Sequence, residues 1–241
     1  MRNLPKINAN YWHALVAASI FGTNTGDFVA RYLHIGHVAG LPYLALLFGA
    51  ILVLAKRARN SSPLYFWAAI ITMRTAATNV GDAFHDFDVP YKTSIAIVLV
   101  LFAASVLLYI RAGRVASDAT VRVNGAYWIC MMLAGVLGTI GGDFASYGVG
   151  LTPAGAAMVF ALLLIASIAW FSKKSILLNP VPYWATLALI RTAGTAAGDA
   201  FAHALGLLQS TVLTGLVFVG LVLYFYAYQS NNKTEPRMAP S

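Results

Sequence analysis

The chain has 241 residues, 59% of them hydrophobic and 10% charged, against roughly 25% charged in an ordinary soluble domain. This excludes a water-soluble globular fold and predicts an integral membrane protein. Its single cysteine, Cys130, excludes a disulfide framework or a cysteine-rich metal site within one chain, and its net charge of +8 sits in short clusters between apolar runs, which signals membrane topology and argues against nucleic acid as a partner.

Eight apolar stretches follow one another at about 11–33, 39–55, 64–86, 93–110, 126–147, 153–171, 182–205 and 209–228, each near the ~20 residues that cross ~30 Å of hydrocarbon. The expected fold is all-α: a polytopic membrane helix bundle forming one domain over 1–241. The first stretch, preceded by Arg2 and Lys6, has the look of a signal peptide in "ALVAASIFG", but it is also the first copy of an internal repeat and is expected to be retained. Lys56, Arg57 and Arg59 follow the second stretch, Arg111, Arg114 and Arg122 the fourth, Lys173 and Lys174 the sixth, and Lys233 and Arg237 the eighth. The positive-inside rule places these clusters and both termini in the cytoplasm, with Lys92 the clear exception on the other face.

The odd-numbered stretches are copies of one unit. "YWHALVAASIFGTNTGDF", "FWAAIITMRTAATNVGDAF", "YWICMMLAGVLGTIGGDF" and "YWATLALIRTAGTAAGDAF" align without a gap from Trp12, Trp67, Trp128 and Trp184 to Asp27, Asp82, Asp143 and Asp199, 15 residues later. Thr23, Thr78, Thr139 and Thr195 lie four residues before the aspartates, and Gly26, Gly81, Gly142 and Gly198 one before. Each motif helix is followed by a plain apolar helix, so two crossings return the chain to its starting side and all four units run parallel. The units fall at about 8–59, 60–122, 123–178 and 179–230, with a flexible cytoplasmic tail at 231–241. Units two and four carry Arg74 and Arg191 where units one and three carry Ser19 and Gly135, which predicts a pseudo-twofold axis along the membrane normal.

These motifs resemble a family of bacterial multi-pass, membrane-anchored proteins built from a repeat of unknown function. "GTNTGDF" and "GTIGGDF" look like its Thr-x-x-Gly-acid repeats, "RTAATNVGDAF" and "RTAGTAAGDAF" like its Arg-containing repeats ending in Gly-Asp, and "HALGL" and "YGVGL" like its Gly-Leu turn. The resemblance spans essentially the whole chain. Two departures stand out: Asp replaces the more frequent Glu in units one and three, and Thr replaces Pro after each Arg. The resemblance implies a bacterial inner-membrane location and no settled activity.

Function is therefore argued from the residues. With each Trp at the cytoplasmic interface as an anchor, the Arg position lies about 10 Å and the Asp about 22 Å along its helix. Side chains lean toward the helix N-terminus, so each Arg is expected to reach away from its own Asp and to contact an acidic group or backbone carbonyl of another unit. Gly22 and Gly26, Ala77 and Gly81, Gly138 and Gly142, and Gly194 and Gly198 form small-x-x-x-small pairs that suit close helix packing, with the intervening threonines free to hydrogen-bond across.

Carboxylates inside a bilayer face a cavity or a partner, and parallel repeats put all four at one depth. One reading is a structural polar knot, in which Arg74 and Arg191 hold the carboxylates as interhelical glue within a non-transporting scaffold or partner subunit. The other is a transporter of a small cation, a proton or a divalent metal, in which the ring of four aspartates binds the cation and couples it to protons, with the threonine hydroxyls as further ligands. Asp27 and Asp143, from units without the Arg, are the better candidates for coordination. The histidines of "HIGH" (34–37), "HDFD" (85–88) and His203 match no zinc spacing and read as solvated loop residues, and His13 as interfacial. No nucleophile-base pair or cofactor motif marks an enzyme.

Overall fold

The computed structural model describes residues 4–58, 62–112, 123–172 and 179–234. Arg2, Arg59, residue 60, Arg114, Arg122, Lys173, Lys174, Arg237 and residues 235–241 of the tail lie outside the described residues, and of Lys233 only the helical backbone is described. Eight α-helices occupy the described chain: α1 (Ala9–Asp27), α2 (His37–Arg57), α3 (Pro63–Asp86), α4 (Tyr91–Arg111), α5 (Gly125–Asp143), α6 (Thr152–Ser172), α7 (Pro180–Leu205) and α8 (Leu207–Thr234). The motif helices start where capping chemistry dictates. Asn8 and Asn124 accept from the amides of Tyr11 and Tyr127, Ser62 accepts from Leu64, and Pro63 and Pro180 occupy the first turn.

Units one and three depart from units two and four just after the aspartate. There α1 and α5 continue as single π-helical turns, Phe28–Tyr32 and Phe144–Gly148, whereas α3 and α7 run through Asp82 and Asp199 as unbroken α-helix. Gly206 alone links α7 to α8, with φ at +84°, and Gly36 caps α2 with φ at +81°; a side chain at either position would strain that left-handed backbone.

Five helical segments are long and apolar enough to cross a membrane: His37–Arg57, Tyr91–Arg111, Gly125–Gly148, Thr152–Trp170 and Leu207–Ala227. The chain thus fits an integral membrane protein. Helices α1, α3 and α7 fall short of that hydropathy because they carry the Asn, Thr, Arg and Asp of the repeat, and the bundle encloses those groups.

The motif helices form a closed ring in which α1 packs on α3, α3 on α5, α5 on α7 and α7 on α1. The plain helices stand outside it, each against the motif helix of the following unit: α2 on α3, α4 on α5, α6 on α7 and α8 on α1. At the ring contacts the side chain eight residues before one aspartate meets the small residue five before the aspartate of the preceding unit. A Cβ at Gly22 would strike Arg74, one at Gly138 would strike Arg191, and one at Gly194 would strike Ser19. Between units two and three the sizes invert, with Ala77 facing Gly135. Gly26, Gly81, Gly142 and Gly198 likewise receive Thr78, Thr139, Thr195 and Thr23. The expected close packing of small residues is therefore present in every interface of the ring.

The ring's axis is built in layers of every fourth residue. Sixteen residues before the aspartates stand Tyr11, Phe66, Tyr127 and Tyr183; twelve before, Leu15, Ile70, Met131 and Leu187; eight before, Ser19, Arg74, Gly135 and Arg191. All but the glycine are buried hydrophobic or polar side chains. The tryptophans differ from expectation. Trp12, Trp67, Trp128 and Trp184 are 5, 7, 8 and 1% exposed and pack edge-to-face on the aromatic residue before each of them, at centroid separations of 5.1 to 5.4 Å. Parallel repeats bring four aromatic pairs to one end of the ring, and stacking on one another there buries more ring surface than facing lipid does.

Candidate functional site

At the opposite end of the ring the four repeats converge on one cavity of about 320 Å³. Asp27, Asp82, Asp143 and Asp199 line it together with Thr23, Thr78, Thr139 and Thr195, the layer beneath them. The rim comes one turn further on, where repeat identity is lost: the residues four past each aspartate are Arg31, Asp86, Tyr147 and His203, of which the first three line the cavity. Arg31 Nε lies 3.4 Å from Asp27 Oδ1, and the Tyr147 hydroxyl is 3.2 Å from His203 Nε2. Asp27 and Asp82 are buried, whereas Asp143 and Asp199 are half-buried.

Arg74 forms the floor. Its Nε donates to the Ser19 carbonyl at 3.3 Å, Nη1 to the Gly135 carbonyl at 3.3 Å and Thr139 Oγ1 at 2.9 Å, and Nη2 to Thr23 Oγ1 at 2.6 Å and Thr195 Oγ1 at 2.7 Å. One side chain thus ties its own helix to the other three, and its charge is solvated by neutral oxygens. This corrects the expected direction, because the guanidinium points toward the aspartates. Thr23 and Thr195 donate in turn to the carbonyls of Ser19 and Arg191 at 3.0 and 3.1 Å, which orients their lone pairs toward Arg74.

Arg191 occupies the matching position and does the opposite. It leans toward the aromatic end, and among the described residues its one hydrogen bond goes from Nη2 to the Met131 thioether at 3.4 Å, with Nε and Nη1 buried and without a partner there. The carbonyl or acidic partner expected for it is absent among the described residues. Two guanidiniums in one layer repel each other, and the three threonine oxygens on the axis accommodate only one of them. Neither buried arginine forms an ion pair with an aspartate among the described residues; the ion pairs there are Asp27 with Arg31 and His37 with Asp82 and Asp86.

His37, read from sequence as a solvated loop residue, is 9% exposed. As the first residue of α2 it lies against α3, with Nδ1 2.6 Å from Asp86 Oδ2 and Nε2 3.6 Å from Asp82 Oδ2. His34 and His203 are exposed, and His85 is exposed and stacks on Tyr91 at 6.0 Å. Sequence reasoning also missed Arg31, a second basic residue at the Lys92 end, although an i, i+4 spacing from Asp27 was there to be read. Its presence means that Asp27, from a unit lacking the buried arginine, still has a basic partner.

A family model for a repeat of unknown function, DUF347, matches four segments of the chain, residues 10–61, 65–115, 126–175 and 182–231. The chain belongs to the DUF347 family. Each DUF347 repeat in it contains one motif helix and one plain helix, so the four matches correspond to the four walls of the cavity. No curated protein and no solved structure matches this DUF347 protein.

Proposed function

We propose that this protein binds a small cation in the aspartate-lined cavity and carries it across a bacterial inner membrane in exchange for protons, with all eight helices spanning and both termini cytoplasmic. The observation that carries the reading is that four carboxylates and four threonine hydroxyls from four repeats line one cavity, while among the described residues the buried arginines form no ion pair with any of the carboxylates. Arginine glue between carboxylates, the structural alternative, calls for ion pairs that are absent among the described residues. A cavity of crowded carboxylates resists full ionisation when empty, and a cation replaces the protons. Lys6, Lys56, Arg57 and Arg111 lie toward the aromatic end of the helices, which the positive-inside rule assigns to the cytoplasm; the cavity then faces the periplasm. Below it, the Arg74 bonds and the aromatic layer close the axis, as alternating access demands of an outward-facing state.

The test is flux in proteoliposomes holding the purified protein, with an internal pH dye and an imposed cation gradient. Cation-driven proton movement is expected in the wild type and its loss in Asp143→Asn, a variant that leaves every ion pair named above intact. Flux that is absent from folded wild type, or unchanged in Asp143→Asn and Asp27→Asn together, refutes transport through this ring.

A further inference from the structure

The four walls of the cavity are not equivalent, and the inequality lies where α1, α2 and α3 meet. The first residues of the plain helices are His37, Tyr91, Thr152 and Leu207, so a single junction of the four presents an imidazole. That imidazole is enclosed and oriented: Asp86 Oδ2 takes its Nδ1 at 2.6 Å, which fixes the tautomer with the proton on Nδ1 and a lone pair on Nε2. Among the described residues Nε2 is buried with no hydrogen-bond partner, and so is Asp82 Oδ2, 3.6 Å away. One ligand atom each from Asp27, His37 and Asp82 lies within 4.8 Å of the others. Buried nitrogen and oxygen atoms of this kind stay unpartnered only at a cost, and here two of them lie side by side in a carboxylate-lined cavity wall.

We propose that Asp27, His37 and Asp82 form a binding site for one divalent transition-metal ion, with Asp86 positioning the imidazole. This rests on the reading of the cavity as a cation site and names the class of cation. Two carboxylates and one neutral imidazole suit Zn²⁺, Mn²⁺, Fe²⁺ or Co²⁺, whereas Mg²⁺ and Ca²⁺ take all-oxygen shells. Bonds of about 2.1 Å place ligand atoms roughly 3 to 4 Å apart, so the three side chains close by about an ångström on the ion. Asp143 and Asp199, on the far walls, remain for protons or for the ion's onward movement.

Arg31 acts as the site's tethered competitor. Its side chain is 62% exposed and pairs with Asp27, so it can swing to solvent when a metal takes that carboxylate. Removing its charge leaves the three ligands in place and removes a cation from the mouth, and affinity should rise.

The experiment uses the full chain, purified in detergent and stripped with chelator, with Zn²⁺, Co²⁺ and Mn²⁺ as probes. Calorimetry should give one Zn²⁺ per chain, Co²⁺ should develop ligand-field absorption, and Mn²⁺ should show ¹⁴N coupling in pulsed electron paramagnetic resonance. His37→Gln should abolish the nitrogen coupling. Asp86→Asn should weaken binding by about 10- to 100-fold with the stoichiometry unchanged, and Arg31→Gln should tighten it several-fold. Melting temperature reports whether each variant is folded, and the Arg31 variant, altered at an exposed side chain, keeps the test alive if His37→Gln fails to fold. Folded wild type that binds none of the three probes, or binding with the nitrogen signal and affinity unmoved by these variants, overturns the proposal. Asp143-dependent proton flux in a protein that ignores Zn²⁺, Co²⁺ and Mn²⁺ overturns the metal site and leaves the cation reading standing. One bound metal with no flux upholds the site and refutes transport.

Discussion

Arg74 and Arg191 hold equivalent places in the repeat, yet replacing each with Met should have opposite consequences. Arg74 uses all five N–H groups on five oxygens from three other helices. A hydrogen bond to a charged group contributes about 1.5 to 3 kcal/mol net, but the sum overstates the loss, since Thr23 and Thr195 keep their own donations to Ser19 and Arg191. Each buried oxygen left without its donor costs about 1 to 3 kcal/mol, and with part of that offset by removal of the buried charge itself, Arg74→Met should cost about 3 kcal/mol. Arg191 forfeits one weak bond to a thioether and relieves two nitrogens, with three N–H groups between them, that lack a partner among the described residues, so Arg191→Met should lie within about 1 kcal/mol of wild type or above it. The assay is equilibrium unfolding in mixed SDS and detergent micelles, read by helical circular dichroism, with thermal melts as a check. The reasoning fails if the two variants are destabilised equally, or if Arg191→Met is the worse.

Gly138→Ala and Gly141→Ala, one turn apart on α5, should separate in the same assay. The first Cβ meets the Arg191 carbonyl carbon at 2.6 Å and the Thr192 amide nitrogen at 2.9 Å, backbone atoms with nowhere to go, whereas the second meets only Thr192 Cγ2 at 3.5 Å; overpacking costs about 1 to 3 kcal/mol and the exposed gain in helix propensity is about 1 kcal/mol. Tyr11→Phe should lower stability by about 1 kcal/mol, because it breaks the bond to the Tyr183 hydroxyl. Loss of flux in Asp143→Asn and loss of the nitrogen signal in His37→Gln are the functional counterparts, measured as described above.

The repeat made much of the architecture readable. Gapless spacing from Trp to Asp fixed four parallel motif helices, and parallelism alone puts like residues in one layer, so the convergence of four aspartates followed from alignment. What sequence did not carry was the breaking of that symmetry. Arg74 and Arg191 look alike in "RTAATNVGDAF" and "RTAGTAAGDAF", and their opposite directions arise from competition for one set of threonine oxygens, a property of the assembled ring. His37 read as loop because its partners, Asp82 and Asp86, belong to another unit, and only the packing of α2 on α3 brings them together. The tryptophans misled for a related reason. An aromatic residue at a helix end suits a membrane interface until three neighbouring helices supply aromatic partners at the same height.

The handing-on of each plain helix to the next unit also sets an order of events at the ribosome. Helices α2, α4 and α6 find their partners as soon as the following motif helix emerges, but α1, which meets α3 early, must wait for the end of the chain to meet α7 and α8. The Tyr11 hydroxyl bonds to Tyr183, 172 positions later, and Asn24 donates to Ser210 and Thr214, 186 and 190 later. Until α7 and α8 are made, α1 presents buried polar groups such as Asn24 and Asp27 on an unclosed seam, and Arg74 lacks Thr195 among its acceptors. Nascent chains stalled before α7 should therefore be held by insertion factors or degraded, and the seam between α7 and α1 is where a split pair of half-chains would have to rejoin.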